Sequence, residues 1–325
     1  MIRMGLLGAS RIAETAVIAP LSTSDAFVVT AVAARDPSRA RAYAENHGIA
    51  AVADDYAALV RREDVDVVYN ALPPSGHAEW TIAALEAGKA VLCEKPFALN
   101  AGQATQMVAA SERTGNLLLE GFHYRHHAVI HRAKAIIDSG ALGRITRGEA
   151  KFAIAIPNPD TPGDLRWTAS LGGGALMDLG VYPVHVLRTL IGAEPEVTTA
   201  QGHFVAGVDS EMTASLRFPG DVEAEIYCSM VAKEMSLNSI SLTLTGEAGS
   251  LNILNFLAPQ HGCRFTTTID GATTVEPVGG PSTYEAQLEN LRAVMLDGET
   301  PLTGGRDAIA NMTVVDAIYS ASGRG

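Results

Sequence analysis

A lysine locked against a proline ends one of the short apolar runs of this sequence. In the stretch KAVLCEKPFALN, the run that begins at Ala90 stops at Glu94, Lys95 and Pro96. The residue before a proline is excluded from helical geometry and stays extended, so Lys95 is held where a strand ends. Open α/β sheets bind their ligands at the carboxyl ends of strands. Lys95 is therefore a candidate for site chemistry, and the alternative is a solvated lysine in a surface loop.

A second segment with reactive side chains is DLGVYPVH, residues 178–185. Asp178, Tyr182 and His185 are spaced i, i+4 and i+7, which places them on one face of a helix. Pro183 restricts that helix, because a proline either kinks it or sits in its first turn. For Tyr182 the alternative is a half-buried tyrosine that packs on a sheet. For His185 it is a satisfied core histidine.

Four histidines lie close together at His123, His126, His127 and His131. The last two have the i, i+4 spacing of a metal-binding helix. The segment lacks the His-Glu-x-x-His pattern, and it has no obvious carboxylate or cysteine partner that would complete a ligand set. The sequence therefore predicts no metal site.

The first predicted strand runs into a glycine loop, GLLGASRIA, residues 5–13. Compared with the dinucleotide fingerprint Gly-x-Gly-x-x-Gly/Ala, it supplies Gly8, then Ser10 where a second glycine is expected, then Ala13. Such a loop turns tightly and lets the backbone approach a pyrophosphate at a helix N-terminus. Because Ser10 departs from the pattern, an ordinary strand–helix turn is the alternative.

The residues after the second predicted strand bear on the choice of cofactor. TAVAA is followed by Arg35 and Asp36, and no acidic side chain comes directly after the strand. An acid there suits the ribose hydroxyls of NAD, whereas an arginine suits the 2′-phosphate of NADP. Arg39, one helical turn further on, is placed to add a second contact. Asp36 is interpreted as the cap of the following helix, and a solvated Arg35 is the alternative.

Around these motifs, the first 120 residues or so alternate short apolar runs with helical stretches. The predicted strands are IRMGLLG, FVVTAVAA, AAVAD, VDVVYNAL and AVLCEKP. Such alternation builds a doubly wound parallel sheet with helices on both faces. We therefore predict an α/β domain over residues 1–121.

The pattern changes after about residue 122. The runs RGEAKFAIAI, EMTASLRF, VEAEIYCSM, SISLTLTG and SLNIL alternate apolar and polar side chains, which favours a large, mainly antiparallel open sheet. The polar face of that sheet is interpreted as small and uncharged, either solvated or packed against a second subunit. We predict a second α/β domain over residues 122–325, with the last helix packing back on the body.

Composition and charge narrow the range of partners and locations. The chain has 325 residues, of which 47% are hydrophobic and 18% charged, as in globular proteins of two domains. A formal net charge of −12 argues against a nucleic-acid or membrane-surface partner. The N-terminal apolar run is too short for a signal peptide or a membrane span. Three scattered cysteines indicate reduced thiols, so a cytoplasmic location is predicted.

The glycine loop, the Glu-Lys-Pro motif and Asp-x-Gly-x-Tyr together resemble the glucose–fructose oxidoreductase/inositol dehydrogenase (Gfo/Idh/MocA) family over nearly the whole chain. ALPPSGHAEWTIAALEAGKAVLCEKPFALN is similar to the central block of that family. EGFHYRHHAVI and LRWTASLGGGALMDLGVYPVH resemble its dihydrodiol and NADP-dependent aldose dehydrogenase branch. The resemblance implies a Rossmann domain, an NADP cofactor more than NAD, and a homodimer or homotetramer. It also implies hydride transfer to or from a carbinol or carbonyl carbon of a sugar, polyol or trans-dihydrodiol.

The same resemblance implies roles for individual residues. Lys95 lies beside the nicotinamide and the substrate hydroxyl, and Tyr182 exchanges the hydroxyl proton with its pKa lowered by Lys95. Asp178 orients that group or binds substrate, and Tyr124 and His185 also bind substrate. The implied cofactor contacts are Gly8, Ser10, Arg11, Ile12, Arg35, Leu72, Pro73, His77, Glu94, Lys95, Arg166 and Trp167.

Two other functions stay open as alternatives within this family. A regulator that senses the cofactor keeps the glycine loop while losing the lysine, so the presence of both Lys95 and Tyr182 disfavours it. An enzyme that uses tightly held NAD transiently, for glycoside cleavage or epimerisation, is disfavoured by Arg35.

Overall fold

The chain divides into two units, which are described separately. The first contains Met1–Phe122 and Tyr284–Ile309, and the second contains His123–Thr283 and Ala310–Gly325. The structure, a computed structural model, describes residues 1–22, 24–156, 164–233 and 236–323. The segment Tyr284–Ile309, which the sequence placed with the second domain, is grouped with the first unit.

The sheet of the first unit has six parallel strands in the order β3-β2-β1-β4-β5-β6. This confirms the predicted doubly wound sheet. The order reverses between β1 and β4, which is the switch point where such sheets bind ligands. The strands are β1 (Ile2–Leu7), β2 (Phe27–Ala33), β3 (Ala51–Val52), β4 (Val67–Asn70), β5 (Ala90–Cys93) and β6 (Leu118–Glu120).

One helix of this unit shows clearly which residues begin and end it. The carboxylate of Asp36 accepts the backbone N–H of Ser38, and the helix that follows ends at Gly48 with φ 65°. The Asp36 cap confirms the sequence prediction, since Asp caps helix starts, and Gly48 suits the helix end because Gly tolerates the left-handed conformation. The helices are α1 (Arg11–Ala13), which runs through a π-helical segment Glu14–Ile18 into α2 (Ala19–Leu21), then α3 (Pro37–His47), α4 (Tyr56–Val60), α5 (His77–Glu86) and α6 (Ala101–Thr114).

The sheet of the second unit has eight strands in the order β14-β13-β12-β11-β7-β10-β9-β8. All its pairs are antiparallel except β7 with β10, so the mainly antiparallel prediction is confirmed. The elements are α7 (Ala128–Asp138), β7 (Ile145–Ala153), α8 (Val181–Ile191), β8 (Glu196–Val205), β9 (Val208–Phe218), β10 (Val222–Ser229), β11 (Ile240–Gly246), β12 (Gly249–Leu254), β13 (Arg264–Ile269) and β14 (Ala272–Glu276).

One face of this sheet packs against α8, and the opposite face is polar. A Cβ added to Gly148 of β7 would lie 2.8 Å from the Cδ2 of Leu187, so the glycine lets α8 approach closely. The alternate residues of the central strands are exposed and charged, among them Arg147, Glu149 and Glu223. The interpretation of this polar face as uncharged was therefore wrong: period-two alternation marks the polar face without fixing which polar residues occupy it.

Two helices close the chain, α9 (Thr283–Asp297) and α10 (Gly305–Ala321). Leu288 and Leu291 of α9 are buried in the hydrophobic core of the first unit, together with Ala13 and Val17. Within the described ranges, none of the helices combines the length and the hydropathy needed to cross a bilayer.

Candidate active site

The lysine identified in the sequence lies at the carboxyl end of β5. The backbone N–H of Glu94 still donates to the carbonyl of Asn70 at the end of β4, at 2.9 Å. The Glu94 carboxylate is buried and accepts the hydroxyl of Tyr69 at 2.6 Å. Lys95 comes next and is partly exposed. A buried carboxylate that is hydrogen-bonded holds its backbone firmly, so the strand end that carries Lys95 is fixed from beneath.

His77 links the turns that follow β4 and β5. Its ring is 1% exposed, with Nδ1 2.9 Å from the carbonyl oxygen of Pro96 and Nε2 2.8 Å from that of Leu72. Burial lowers the pKa of His77, which favours the neutral ring. His77 therefore contacts the backbones of the two loops that carry Lys95 and the predicted cofactor residues Leu72 and Pro73.

The glycine loop after β1 has the backbone geometry of a close-approach turn. Gly8 has φ 100°, and a Cβ added to it would lie 3.3 Å from the carbonyl oxygen of Ala71. The Ser10 hydroxyl accepts a backbone N–H of the first helical turn at 3.3 Å. Arg11 and Ile12 follow as the first residues of α1. The loop thus combines a glycine-only position with the start of a helix, which is how phosphate groups are bound.

The side chains after β2 have different partners, and Asp36 caps its helix as the sequence predicted. Asp36 is bonded to both the backbone and the hydroxyl of Ser38, and these bonds lower the pKa of Asp36. Arg35 is exposed. The guanidinium of Arg39 donates to the carbonyl of Ala9 in the glycine loop at 3.1 Å. Asp36 is therefore engaged with its own helix while Arg39 reaches the loop.

In the second unit, Asp178 lies in a π-helical segment, Leu176–Gly180, that leads directly into α8. The N–H of Val181 bonds to the carbonyl of Leu176, five residues earlier. The extra residue per turn displaces Asp178 from the face that an uninterrupted α-helix would give it. Pro183 is the third residue of α8, so of the two sequence alternatives it takes the first turn.

Five polar side chains form two buried hydrogen-bonded groups beside this segment. The hydroxyl of Tyr182 lies 3.3 Å from Nε2 of His123, whose Nδ1 lies 2.8 Å from the hydroxyl of Thr283. The hydroxyl of Tyr124 lies 2.5 Å from Nδ1 of His185. The Tyr124 and Tyr182 rings meet edge to face at 5.9 Å. The structure thus brings together Tyr182, His185 and Tyr124, and it adds His123 and Thr283, to which the sequence analysis gave no such role.

A single carboxylate anchors the start of the π segment. Asp209 of β9 is fully buried and accepts the N–H of Leu176 at 2.6 Å and the hydroxyl of Tyr319 at 2.8 Å. A Cβ on Gly174 (φ 130°) would lie 2.2 Å from its Oδ1, so the chain passes against the carboxylate at a position that requires glycine. The sequence analysis missed Asp209, because the strand predicted there began at Glu211 and Asp209 precedes that run.

Arg166 and Trp167 lie in a short 3₁₀ turn of the same unit. The Arg166 guanidinium makes two bonds to the Asp164 carboxylate, at 2.9 and 2.8 Å. These bonds, with the charges of Asp164 and Asp178, raise the pKa of Arg166. Trp167 is buried. Arg166 is therefore close enough to Asp178 for their charges to interact.

The four clustered histidines have different surroundings. His127 caps α7 by accepting the N–H of Val129 at 3.1 Å. Burial, with the charges of Arg125 and His131, lowers the pKa of His126 to about 3. Among the residues that the structure describes, no group of three or more His, Cys, Asp or Glu side chains is arranged to hold a metal ion.

The half-buried His126, whose pKa is lowered, predicts a pH dependence of stability. Its pKa is about 3 in the folded protein and about 6.5 in an unfolded chain. Below pH 6.5 the unfolded chain therefore takes up a proton that the folded protein refuses, and the free energy of unfolding falls as the pH drops. Between pH 7 and pH 5 this single group accounts for a loss of about 2 kcal/mol.

Urea unfolding of wild type and His126→Gln at the two pH values measures this loss. The variant should lose about 2 kcal/mol less than wild type between pH 7 and pH 5. His203→Gln, which changes an exposed histidine, is the matched control. Equal losses in wild type and His126→Gln would contradict a neutral His126.

Two family models match the chain. The model described as "Oxidoreductase family, NAD-binding Rossmann fold" matches residues 2–122. The model described as "GFO/IDH/MocA C-terminal domain" matches residues 130–252. Together they cover most of the chain, including the whole first sheet and β7 to β11 of the second.

Curated and solved proteins are similar over nearly the full length. A dTDP-3,4-didehydro-2,6-dideoxy-alpha-D-glucose 3-reductase of Actinomadura kijaniata is 39% identical, covering 99% of this chain and 96% of its own. D-xylose 1-dehydrogenase (NADP(+)) 2 of Haloferax volcanii is 30% identical, covering 99% of this chain and 97% of its own. The crystal structure of an aldose-aldose oxidoreductase of Caulobacter crescentus, complexed with glycerol, superposes with a TM-score of 0.89 at 26% identity, covering 100% of this chain and 98% of that one.

Proposed function

The chain belongs to the Gfo/Idh/MocA family of oxidoreductases, and on that premise we propose that it is an NADP-dependent dehydrogenase or reductase. Its substrate is a sugar, polyol or trans-dihydrodiol that reacts at a carbinol or carbonyl carbon. The observation that carries the proposal is the arrangement of the first unit, where the glycine loop after β1 and the Lys95 turn after β5 both lie at the carboxyl edge of one sheet. The scattered cysteines support a cytoplasmic location.

The residues of the first unit fit a dinucleotide. The positive φ of Gly8 leaves room for a pyrophosphate against the loop backbone, and Ser10, Arg11 and Ile12 open the helix whose N-terminus would face it. When bound, the nicotinamide accepts or supplies the hydride. Arg35 would hold the 2′-phosphate. We assign the remaining cofactor contacts to Leu72, Pro73, His77, Glu94, Lys95, Arg166 and Trp167, with His77 acting through the two carbonyls that it bridges.

In this proposal, Tyr182 exchanges the proton of the substrate hydroxyl. Oxidation of an alcohol requires the hydroxyl proton to leave as the hydride leaves, and reduction requires its return. Tyr182 takes that proton as a phenolate during oxidation and gives it as a phenol during reduction, while the Lys95 ammonium stabilises negative charge on the reacting oxygen. Asp178, which is partly exposed, binds a substrate hydroxyl. Tyr124 and His185 support substrate binding indirectly, because both are fully buried and hydrogen-bonded to each other.

The substrate class is tested with a panel of compounds. Free aldoses, polyols, trans-dihydrodiols and a dTDP-linked keto-sugar are each incubated with the oxidised or reduced form of NADP and of NAD, and the absorbance of the reduced cofactor is followed. The dTDP-linked keto-sugar is included because the name of the Actinomadura kijaniata relative specifies such a substrate. Cofactor binding without turnover of any class would favour the cofactor-sensing regulator.

Lys95→Met and Tyr182→Phe are expected to bind cofactor normally while losing turnover. Each substitution removes a charged or proton-exchanging group, and such groups contribute about 10²-fold or more to the rate. Steady-state kinetics give the loss of kcat, and fluorescence titration with NADPH checks cofactor binding. Lys89→Met, at a partly buried lysine that bonds to the carbonyl of Arg62, is the control. Near-wild-type kcat in Lys95→Met, or a change confined to KM in Tyr182→Phe, would contradict the assigned roles.

Arg35→Ala is expected to abolish most of a preference for NADP over NAD. A charge-assisted contact to the 2′-phosphate is worth about 1.5–3 kcal/mol, so the wild-type ratio of kcat/KM for NADP over NAD should be about ten- to a hundredfold. The variant should leave kcat/KM for NAD nearly unchanged. Arg41→Ala, at an exposed arginine of α3, is the control. A preference that survives in Arg35→Ala would mean that Arg35 is only solvated.

We further propose a homodimer or homotetramer that covers the polar face of the eight-stranded sheet. Charges of both signs on β7 and β10, such as Arg147 and Glu223, are the chemistry of a self-complementary contact between two copies. Light scattering at micromolar concentration should give a multiple of the 34.1 kDa chain mass, and Lys151→Glu should lower it by placing like charges together. A monomer at that concentration would contradict this assembly.

A further inference from the structure

One short turn contacts two polar residues of α8. The 3₁₀ turn His123–His126 follows β6, and its first residue meets Tyr182 while its second meets His185. In the first contact the turn supplies the histidine and α8 supplies the tyrosine. In the second contact the turn supplies the tyrosine and α8 supplies the histidine. Both contacts are buried.

His123 is held on both ring nitrogens. Nε2 lies 3.3 Å from the Tyr182 hydroxyl and Nδ1 lies 2.8 Å from the Thr283 hydroxyl. The exposed fractions of His123, Tyr182 and Thr283 are 6%, 5% and 0%. The His123 and Tyr182 rings also meet edge to face at 5.9 Å. A ring fixed in this way has one orientation, and a hydrogen bond in such a buried place is stronger than one in water.

The Thr283 hydroxyl determines what His123 offers to the phenol. If Thr283 accepts a proton from Nδ1, then Nε2 is the bare nitrogen and accepts the O–H of Tyr182. If Thr283 donates to Nδ1, then Nε2 carries the proton and donates to the phenol oxygen. In both tautomers the imidazole holds the phenol oxygen of Tyr182 along one hydrogen-bonding direction.

We propose that His123 is a positioning residue that orients the Tyr182 hydroxyl toward the substrate, and that Thr283 fixes the His123 tautomer. The inference rests on the proton-exchanging role of Tyr182 in the proposed function. Beyond that role, the inference states that a phenol held in one orientation exchanges the proton faster than a phenol that rotates freely. His123 acts through Tyr182, so its loss lowers kcat and leaves KM nearly unchanged.

Two amide substitutions separate the two nitrogens of the ring. His123→Gln places an amide near the position of Nε2 and keeps a partner for Tyr182, whereas His123→Asn places one near Nδ1 and loses it. His123→Asn should lower kcat about tenfold, the value of one buried hydrogen bond, with KM within about twofold of wild type. His123→Gln should recover most of the loss. Thr283→Val should resemble His123→Asn, and Thr283→Ser, which keeps the hydroxyl, should resemble wild type.

A double-mutant comparison tests whether His123 acts through Tyr182. In a Tyr182→Phe background, His123→Asn should cause no further loss of kcat, because the hydroxyl that it orients is gone. An equal tenfold loss in both backgrounds would overturn the inference and mark His123 as merely structural. Thermal unfolding of every variant identifies misfolded protein. If His123→Asn does not fold, the Thr283→Val and Thr283→Ser pair decides, and equal kcat in that pair overturns the inference.

Failure of the inference is distinguishable from failure of the proposed function. Wild-type kcat in Tyr182→Phe would remove the role of Tyr182, and the inference with it. A hundredfold loss in Tyr182→Phe with wild-type kcat in His123→Asn would leave the function standing and overturn only the positioning role.

Discussion

The reactive segment of the second unit depends on one buried carboxylate. Asp209 accepts the backbone N–H of Leu176 and the hydroxyl of Tyr319, so it joins β9 to the start of the π segment and to the last helix. A buried carboxylate is stable only when hydrogen bonds replace its water, and a helix start has unsatisfied N–H groups to offer and a favourable dipole. The helix start supplies a hydrogen bond that the carboxylate needs, and the carboxylate accepts an N–H that the helix start would otherwise leave unpaired. Asp178 and Tyr182 are positioned because the segment that carries them begins at a fixed point.

In the first unit, buried polar groups likewise hold a backbone segment in place, here at the end of a strand. Lys95 is partly exposed, but the residues on each side are held from within, Glu94 by Tyr69 and the Pro96 carbonyl by His77. In both units an accessible polar side chain follows a backbone that buried polar groups hold in place. Such support costs no rearrangement during a reaction, which is what electrostatic stabilisation of a transition state requires.

Periodicity in the sequence was enough to predict the two sheets, their strand directions and the glycine loop, because these follow from local patterns. It was not enough for β6, β8, β13, β14 and α9. β6 has only three residues. β8, β13 and β14 lie at or next to the edges of the second sheet and carry many threonines and few large apolar residues, so they lack the alternation of half-buried strands. The contact of Asp209 with Leu176 spans 33 positions and that of His123 with Thr283 spans 160, and no local pattern encodes such pairs.

The four neighbouring histidines show why density in the sequence does not imply a shared ligand. In a turn followed by a helix, side chains that are consecutive in the chain point in different directions, and the rings here have different surroundings. His123 lies between Thr283 and Tyr182, and His127 caps α7. Burial lowers the pKa of His126, His127 and His131, so these rings are neutral near pH 7. An imidazole can ligate a metal or direct a hydroxyl proton, and we propose the second use for His123, whose two ring nitrogens each have a hydroxyl within hydrogen-bond distance.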